Sequence, residues 1–299
     1  NMRQVTGHGH KDRGSIVLEY NGEALLLDPG MIGYSDPASN QYGETFCHNT
    51  LTFDQRSQSG GTAIYDTSIA GFISTSGETC PGLPGGIDWV IADATAVYPQ
   101  ATRFLRHILY LRPDLFVLLD EVAAKEPERM ELNFTCLGPL TADGNATATA
   151  AVSTTHKNRL IIQTVADQLL ADRFSRWGTH WPGMPSYRLI RGTMAKAQAC
   201  TFLTVLAPHA LESPPPIIEP LTIKGALGVR IYAGDREEWV LHRLDRGARL
   251  PEVDADARTC IVRRVQGRTI AAAMRDGTYL TCDGLTLAGS GSGLAGIRL

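Results

Sequence analysis

Several features that mark common classes of protein are missing from this sequence of 299 residues. No stretch approaches the roughly 18 uninterrupted apolar residues that a membrane-spanning helix requires. The six cysteines form no C-x-x-C pair, which argues against a zinc ribbon or a thioredoxin-like motif. The net charge is −3 and no block of basic residues is present, so neither a nucleic acid nor a membrane surface is an expected partner.

Helical periodicity is also scarce. Short apolar runs rich in β-branched residues recur between Gly, Pro, Asp and Asn, and their lengths are typical of strands rather than helices. Asn21-Gly22 predicts a two-residue hairpin turn. Only Val165–Arg173 has a helical pattern. The sequence therefore predicts an all-β fold, a large multi-stranded antiparallel β-sandwich.

Residues 1–299 are expected to form one domain, because all-β folds often exceed about 200 residues. The segment Ser213–Pro220 contains three consecutive prolines, and proline lacks the amide donor that a sheet needs. We predict that this segment is not a regular strand but either a connection or the edge of a subdomain. A less regular C-terminal part is accordingly expected from about residue 213.

What the sequence does contain is a concentration of metal-capable side chains near its start. His8 and His10 are separated by one residue, Asp28 ends an apolar run, and His48 lies just before another. Residues two apart on a strand share a face, so one metal could reach both His8 and His10, or one histidine could bind metal while the other faces a substrate. Two imidazole nitrogens and one carboxylate oxygen can hold a divalent metal and leave a position open.

A His-x-His pair is also found on a strand of cupin barrels, where a glutamate ligand follows a few residues later. Here the fifth residue after His10 is Ser15, and the only nearby glutamate is Glu19. The pattern lacks a required ligand, so a cupin-like metalloenzyme is the weaker alternative.

Aromatic residues gather on a Gly/Pro-rich segment, Phe174–Tyr187, which includes Trp177 and Trp181. Aromatic side chains on such a loop can stack on sugar faces, and the alternative is a loop pinned to the sheet by its own aromatics. Trp177 and Trp181 are therefore candidate substrate-binding residues. A non-catalytic carbohydrate-binding or structural β module is an alternative function for the chain.

The order of several motifs points to a known family. Gly7-His8-Gly9-His10 is followed by Leu27-Asp28-Pro29-Gly30 and His48-Asn49-Thr50, and later by Arg106–Asp114 and Val117–Val122. This order resembles the β-sheet domain of the heparinase II/III-like polysaccharide lyases. The specific resemblance covers about residues 7–138.

The resemblance implies roles for these residues. His10, Asp28 and His48 are implied as the ligands of a structural Zn²⁺, and His8 as the catalytic histidine that faces the substrate cleft.

A cleft tyrosine with a catalytic role is implied as well, and Tyr34 and Tyr42 are both candidates for it. Asn49 is placed among the substrate-binding residues, although its position beside a metal ligand favours a role in supporting the geometry of its neighbour.

The implied reaction is β-elimination on a glycan that contains uronic acid, such as alginate or a glycosaminoglycan. Family members carry a helical toroid domain before the β-sheet domain, and nothing in this chain has that pattern. We therefore expect a toroid domain upstream or in trans, and no activity from the isolated chain. The expected location is the bacterial periplasm or the exterior, although the chain shows no signal peptide, and a homodimer is left open.

Overall fold

The structure, a computed structural model, describes residues 10–30, 39–59, 64–65, 86–143, 147–177 and 185–298. The chain divides into two compact units. Their ranges are Asn1–Tyr65, Ala92–His107 and Leu118–Ser213 for the first unit, and Asp66–Ile91, Ile108–Val117 and Pro214–Leu299 for the second.

Nearly all of the regular structure consists of β-strands. The strands up to residue 143 are β1 (Leu18–Tyr20), β2 (Glu23–Leu26), β3 (Leu51–Phe53), β4 (Ile64–Tyr65), β5 (Ile87–Asp93), β6 (Ala101–Leu111), β7 (Leu115–Glu128), β8 (Met130–Leu137) and β9 (Leu140–Asp143). The following strands are β10 (Ala148–Thr154), β11 (Asn158–Ala166), β12 (Leu170–Trp177), β13 (Ser186–Thr193) and β14 (Ala197–Ala210). The remaining strands are β15 (Ile217–Ile223), β16 (Ala226–Ala233), β17 (Arg236–Arg243), β18 (Asp254–Ala255), β19 (Thr259–Val265), β20 (Arg268–Arg275), β21 (Tyr279–Cys282), β22 (Leu285–Ala288) and β23 (Leu294–Arg298). A one-turn helix, α1 (Ser39–Tyr42), and 3₁₀ turns at Thr45–Cys47 and Thr95–Val97 are also present.

The strands form four sheets. The first has the order β1-β2-β8-β13-β12, with β3 also paired to β8, and the second has the order β4-β5-β6-β7-β14-β11-β10-β9. Strands β5, β6 and β7 contribute residues to both units. The third sheet, β15-β16-β17-β19-β20-β23, and the fourth, β18-β21-β22, belong to the second unit. The predicted all-β, antiparallel, sandwich-like fold is confirmed.

Strand β8 shows how the sequence positions the candidate site. Its even-numbered residues from Met130 to Cys136 are apolar and lie in the core. Its odd-numbered residues Glu131, Asn133 and Thr135 are polar and equally buried. Because strand side chains alternate between faces, β8 presents one face to the core and a polar face to the segment that leads into β3.

The second unit has its own apolar core. Trp239 and Leu241 from β17 pack with Cys260 and Val262 from β19 and with Met274 from β20. These residues alternate along their strands, as expected for sheets that bury one face. The described residues after 213 thus contain nine strands.

The hairpin predicted at Asn21-Gly22 is confirmed. Tyr20 pairs with Glu23, and the two turn residues have φ values of 49° and 75°. Asparagine and glycine tolerate this left-handed backbone, which matches the twist of the flanking strands.

Two local expectations differ from the structure. Val165–Arg173, the best candidate for a helix, is instead the end of β11, a turn and the start of β12. In the proline-rich segment, the three consecutive prolines 214–216 lie outside any strand, as predicted, but β15 begins at Ile217 and includes Pro220. Strand β15 lies at the edge of the third sheet, where a missing amide donor is tolerated.

Candidate metal centre

The candidate metal centre lies in the first unit and consists of His10, Asp28 and His48. One potential ligand atom from each residue lies within 4.8 Å of the others. Nδ1 of His48 is 3.0 Å from Oδ2 of Asp28, and the two imidazole rings have centroids 5.2 Å apart at an angle of 46°. The structure therefore brings together the three residues that the sequence put forward as metal ligands.

Asp28 and His48 each lie just after a local element, and hydrogen bonds fix all three ligand residues. Asp28 follows β2, and its Oδ1 accepts a hydrogen bond of 2.9 Å from the Gly30 amide. His48 follows the 3₁₀ turn Thr45–Cys47, and its amide donates to the Thr45 carbonyl. The carbonyl of His10 accepts a bond of 2.6 Å from the Arg13 guanidinium.

Asn49 organises the segments around the site. Its side chain is fully buried, and its Nδ2 donates to the carbonyls of Ile16 and Leu27 at 2.7 and 2.9 Å. Its Oδ1 accepts from the Thr135 amide at 2.6 Å. These three backbone partners and its burial suit a supporting role for Asn49 beside His48, and its substrate-binding role stays a prediction.

Arg106 ties the same segments to the neighbouring sheet. Its Nε and Nη2 donate to the two carboxylate oxygens of Asp120, and its Nη1 donates to the carbonyls of Gly14 and Asn49 at 2.7 and 2.8 Å. Arg106 and Asp120 are 1% and 0% exposed. Both residues were noticed only as part of the family resemblance, and their structural role was missed.

A sequence signal for this pair exists. Arg106 and Asp120 lie at equal distances before and after Pro113, in the turn Arg112-Pro113-Asp114 that joins β6 to β7. Opposite charges placed symmetrically about a hairpin turn are expected to be cross-strand neighbours.

The polar face of β8 supports the segment that follows His48. The Glu131 carboxylate accepts bonds from the amide and the side chain of Gln55 at 2.8 and 2.7 Å, and it also pairs with Arg173. Asn133 donates to the Thr50 carbonyl at 3.1 Å. Buried polar groups are stabilising when they are hydrogen-bonded in this way, so β8 serves as a fixed base for the candidate centre.

The electrostatics of the three residues suit a metal ion. Burial raises the pKa of Asp28, but hydrogen bonds from His48 and the Gly30 amide outweigh burial, and the pKa lies below its ordinary value. Nε2 of His48 is buried and has no hydrogen-bond partner among the described residues. An orphaned imidazole nitrogen beside an ionised carboxylate and a second imidazole is a donor set that fits Zn²⁺.

The structure does not test the roles of the remaining predicted site residues. His8, Tyr34 and Trp181 lie outside the described residues. Tyr42 is half-buried at the end of α1, and Trp177 is the last residue of β12. Their catalytic and substrate-binding roles stay predictions.

The fold and the centre define the chain first as an all-β domain with a candidate metal site of two histidines and one aspartate. The family model described as heparinase II/III-like, C-terminal, matches residues 1–188, which is more than half of the chain. The chain therefore belongs to this family, as the order of its motifs predicted.

Solved heparinase structures are similar in fold. Heparan sulfate lyase HepC from Pedobacter heparinus has 18% sequence identity and a TM-score of 0.59, and the match covers 80% of this chain and 37% of that chain. A structure of heparinase III has 15% identity and a TM-score of 0.54, with coverages of 79% and 36%. No curated protein matches the chain.

The chain thus spans little more than a third of the length of these solved structures. In the part of this chain that the structure describes, the sheets do not close into a barrel. The fold therefore does not support the cupin-like alternative. Among the described residues, no helix is both long and apolar enough to cross a bilayer.

Proposed function

We propose that this chain is the β-sheet half of a polysaccharide lyase that cleaves uronic-acid-containing glycans by β-elimination. The observation that carries the proposal is the convergence of His10, Asp28 and His48 in a chain of the heparinase II/III-like family. The polymer would be alginate, a glycosaminoglycan or a chemically similar chain. Such a polymer is met outside the cytoplasm, so the proposed location is the periplasm or the exterior of a bacterium.

The proposed centre holds Zn²⁺ through one nitrogen each from His10 and His48 and one oxygen from Asp28. The bound ion would supply a structural tie between the residues before β1, the end of β2 and the segment before β3. Asn49 and Arg106 already connect these segments by hydrogen bonds to their backbones. The metal would therefore reinforce an arrangement that the buried polar groups have set.

The proposed reaction requires three catalytic contributions. A base removes the C5 proton of the uronate, donors neutralise its carboxylate while negative charge develops, and an acid protonates the leaving oxygen at C4. His8 is the proposed residue for proton transfer, because an unperturbed imidazole titrates near neutral pH. Tyr34 or Tyr42 is the proposed second group, and Trp177 and Trp181 are the proposed sugar contacts.

A helical toroid domain would supply the other wall of the cleft, either upstream or as a separate polypeptide. The solved structures of similar fold are much longer than this chain, which supports a requirement for a further domain. We propose that the isolated chain is inactive until this domain is present.

The ligand assignment is tested by substituting His10→Ala and measuring bound zinc and the melting temperature of the chain. The variant should lose the metal and melt at a lower temperature, because one of three protein ligands is gone. His156→Ala is the matched control, since His156 is exposed and is not part of the cluster. Unchanged zinc content in the His10 variant would sink the assignment.

The lyase proposal is tested with uronate polymers and the absorbance of their unsaturated products. The isolated chain should give no rise, and the chain combined with its toroid domain should give a rise that the His8→Ala variant lacks. Strong activity from the isolated chain would show that the second domain is not required. No activity from the combined protein on any uronate polymer would favour the non-catalytic carbohydrate-binding module.

A further inference from the structure

The second unit contains a cleft that plays no part in the candidate metal centre. Its volume is about 800 Å³, and its lining residues come from two stretches of chain, 243–258 and 276–291. Ligand-binding clefts typically measure about 300–1,000 Å³, so the cleft is large enough for a small ligand or part of a polymer. We refer to it as the arginine cleft, because Arg243, Arg246, Arg249 and Arg258 line it.

Two of these guanidinium groups have no acidic partner in the part of the chain that the structure describes. Arg246 and Arg249 are exposed, and no acidic side chain among the described residues pairs with either. Arg243 donates through Nη2 to the Ala255 carbonyl, while its buried Nε has no acceptor in the part of the chain that the structure describes. Charged donors without partners in a cleft are available to an anionic ligand.

The three aspartates that line the cleft accept hydrogen bonds from neutral donors, and Asp276 also pairs with Arg275, whose Nε lies 3.5 Å from its Oδ2. Asp256 accepts from the amide and hydroxyl of Thr278 at 2.7 and 2.6 Å, and these bonds, with one from the Tyr279 amide, outweigh burial and lower its pKa. Asp254 accepts from the Tyr279 hydroxyl at 3.1 Å, and Asp276 accepts from the Gly293 amide at 3.0 Å. Four arginines against three aspartates leave the lining positive.

We propose that the arginine cleft binds an acidic oligosaccharide through the carboxylate or sulfate groups of its sugars. The proposal rests on the proposed function for its choice of a saccharide, and it adds a second place at which this chain holds the polymer. None of the lining residues belongs to the candidate metal centre, and all lie in the second unit.

The chemistry of the lining favours this class of ligand. A guanidinium group presents paired N–H donors that match the two oxygens of a carboxylate or sulfate, and it keeps its charge throughout the accessible pH range. The side chain of Leu244, which is 39% exposed, adds an apolar surface at the same cleft. An acidic sugar offers both an anionic group and an apolar ring face, whereas a neutral sugar would leave the guanidinium groups without partners.

The test compares binding of fluorescently labelled oligosaccharides to the whole chain and to Arg246→Ala/Arg249→Ala. The probes are an oligouronate with carboxylates only, a sulfated glycosaminoglycan oligosaccharide and a neutral oligosaccharide of equal length. The matched control is Lys157→Ala/Arg268→Ala, which removes the same charge from exposed positions outside the cleft. Melting temperatures of all three proteins verify folding, and those of both variants should equal the wild-type value, because the substituted residues are exposed.

The cleft variant should bind at least one acidic probe about tenfold more weakly or worse, because two charge-assisted contacts are lost. The control should stay within about twofold, and raising the salt concentration should weaken the wild type more than the cleft variant. The two acidic probes then distinguish a carboxylate from a sulfate as the bound group.

Equal affinity of the wild type and the cleft variant would overturn the proposal, as would equal losses in the cleft variant and the control. Binding of neither acidic probe to the wild type would overturn it too. The proposed lyase function fails by different readouts, namely zinc content and unsaturated products, so the two failures are distinguishable.

Discussion

Each of the two units contains a buried arginine–carboxylate pair, and the two pairs differ in how completely they are satisfied. In the first unit, Arg106 binds both oxygens of Asp120 at 2.7 and 2.9 Å. In the second unit, Nε of Arg263 binds one oxygen of Glu238 at 2.7 Å. The other oxygen of Glu238 is buried and has no hydrogen-bond partner among the described residues.

Because of this difference, the pair in the first unit can position its neighbours, whereas the pair in the second unit contains a group that titrates. The desolvation of a buried ion pair is offset only when further hydrogen bonds satisfy the remaining donors and acceptors. Arg106 meets this condition with two backbone carbonyls, and so it can hold the segments of the candidate centre in place. Glu238 does not meet it, because its second oxygen is buried without a hydrogen-bond partner among the described residues. Burial raises its pKa to about 7 against the lowering effect of Arg263.

The largest effect is expected from breaking the satisfied pair. Arg106→Ala leaves the Asp120 carboxylate buried without its partner and removes the donor from the Gly14 and Asn49 carbonyls. Loss of one partner of a buried pair costs about 3–5 kcal/mol, so the free energy of unfolding should fall by that amount. Urea titration monitored by circular dichroism measures the loss, and bound zinc should fall with it.

Arg103→Ala is the comparison for this prediction. Arg103 lies on the same strand and pairs with Glu121, but its side chain is 42% exposed. Exposed arginines in ion pairs contribute about 0–1 kcal/mol, so the loss should be much smaller. Similar losses from Arg103→Ala and Arg106→Ala would mean that Arg106 does not organise the site.

A smaller effect is expected from Asn49→Ala. The substitution removes the hydrogen-bond partner of three backbone groups, namely the carbonyls of Ile16 and Leu27 and the amide of Thr135. Each unsatisfied buried group costs about 1–3 kcal/mol, and partial relaxation with water entry should reduce the total to about 2–4 kcal/mol. Equilibrium unfolding measures the stability, and competition with a zinc chelator measures the metal affinity, which should fall because His48 is the adjacent residue.

Gln163→Ala is a control for the loss of an amide side chain. Gln163 makes one hydrogen bond of 3.0 Å to the Thr149 carbonyl in the same unit. Its removal should cost about 0.5–1.5 kcal/mol and leave zinc affinity unchanged. Normal zinc affinity in Asn49→Ala would show that Asn49 does not support the metal centre.

The sequence predicted the local features of the fold better than its long-range contacts. Strand-length apolar runs and the turn at Asn21-Gly22 depend on neighbouring residues, and both were found in the structure. Pro220 was misjudged because proline is excluded only from inner strands, and sequence does not show which strand lies at an edge.

The same distinction between local and long-range features applies to the residues of the candidate centre. The three ligand types were visible in the sequence, and the order of motifs suggested that they belong together. The role of Arg106 was not visible, because the carbonyls that it binds are 92 and 57 residues away in the chain. A backbone carbonyl has no side-chain signature, so no pattern of residue types marks it as the partner of a distant arginine.

The smallest effect is a pH dependence that comes from the unsatisfied pair. The pKa of Glu238 is raised from an ordinary 4.5 to about 7 in the folded chain. The folded state therefore holds the proton more tightly, so the contribution to stability is complete below about pH 4.5 and is lost as the pH rises through about 7. The free energy of unfolding should fall by about 2 kcal/mol between about pH 5 and about pH 7, since each unit of pKa difference is worth about 1.4 kcal/mol. Glu238→Gln should remove this contribution to the slope, and Glu219→Gln, at an exposed position, is the matched control that should keep it. A slope that is unchanged in Glu238→Gln would place the titrating group elsewhere.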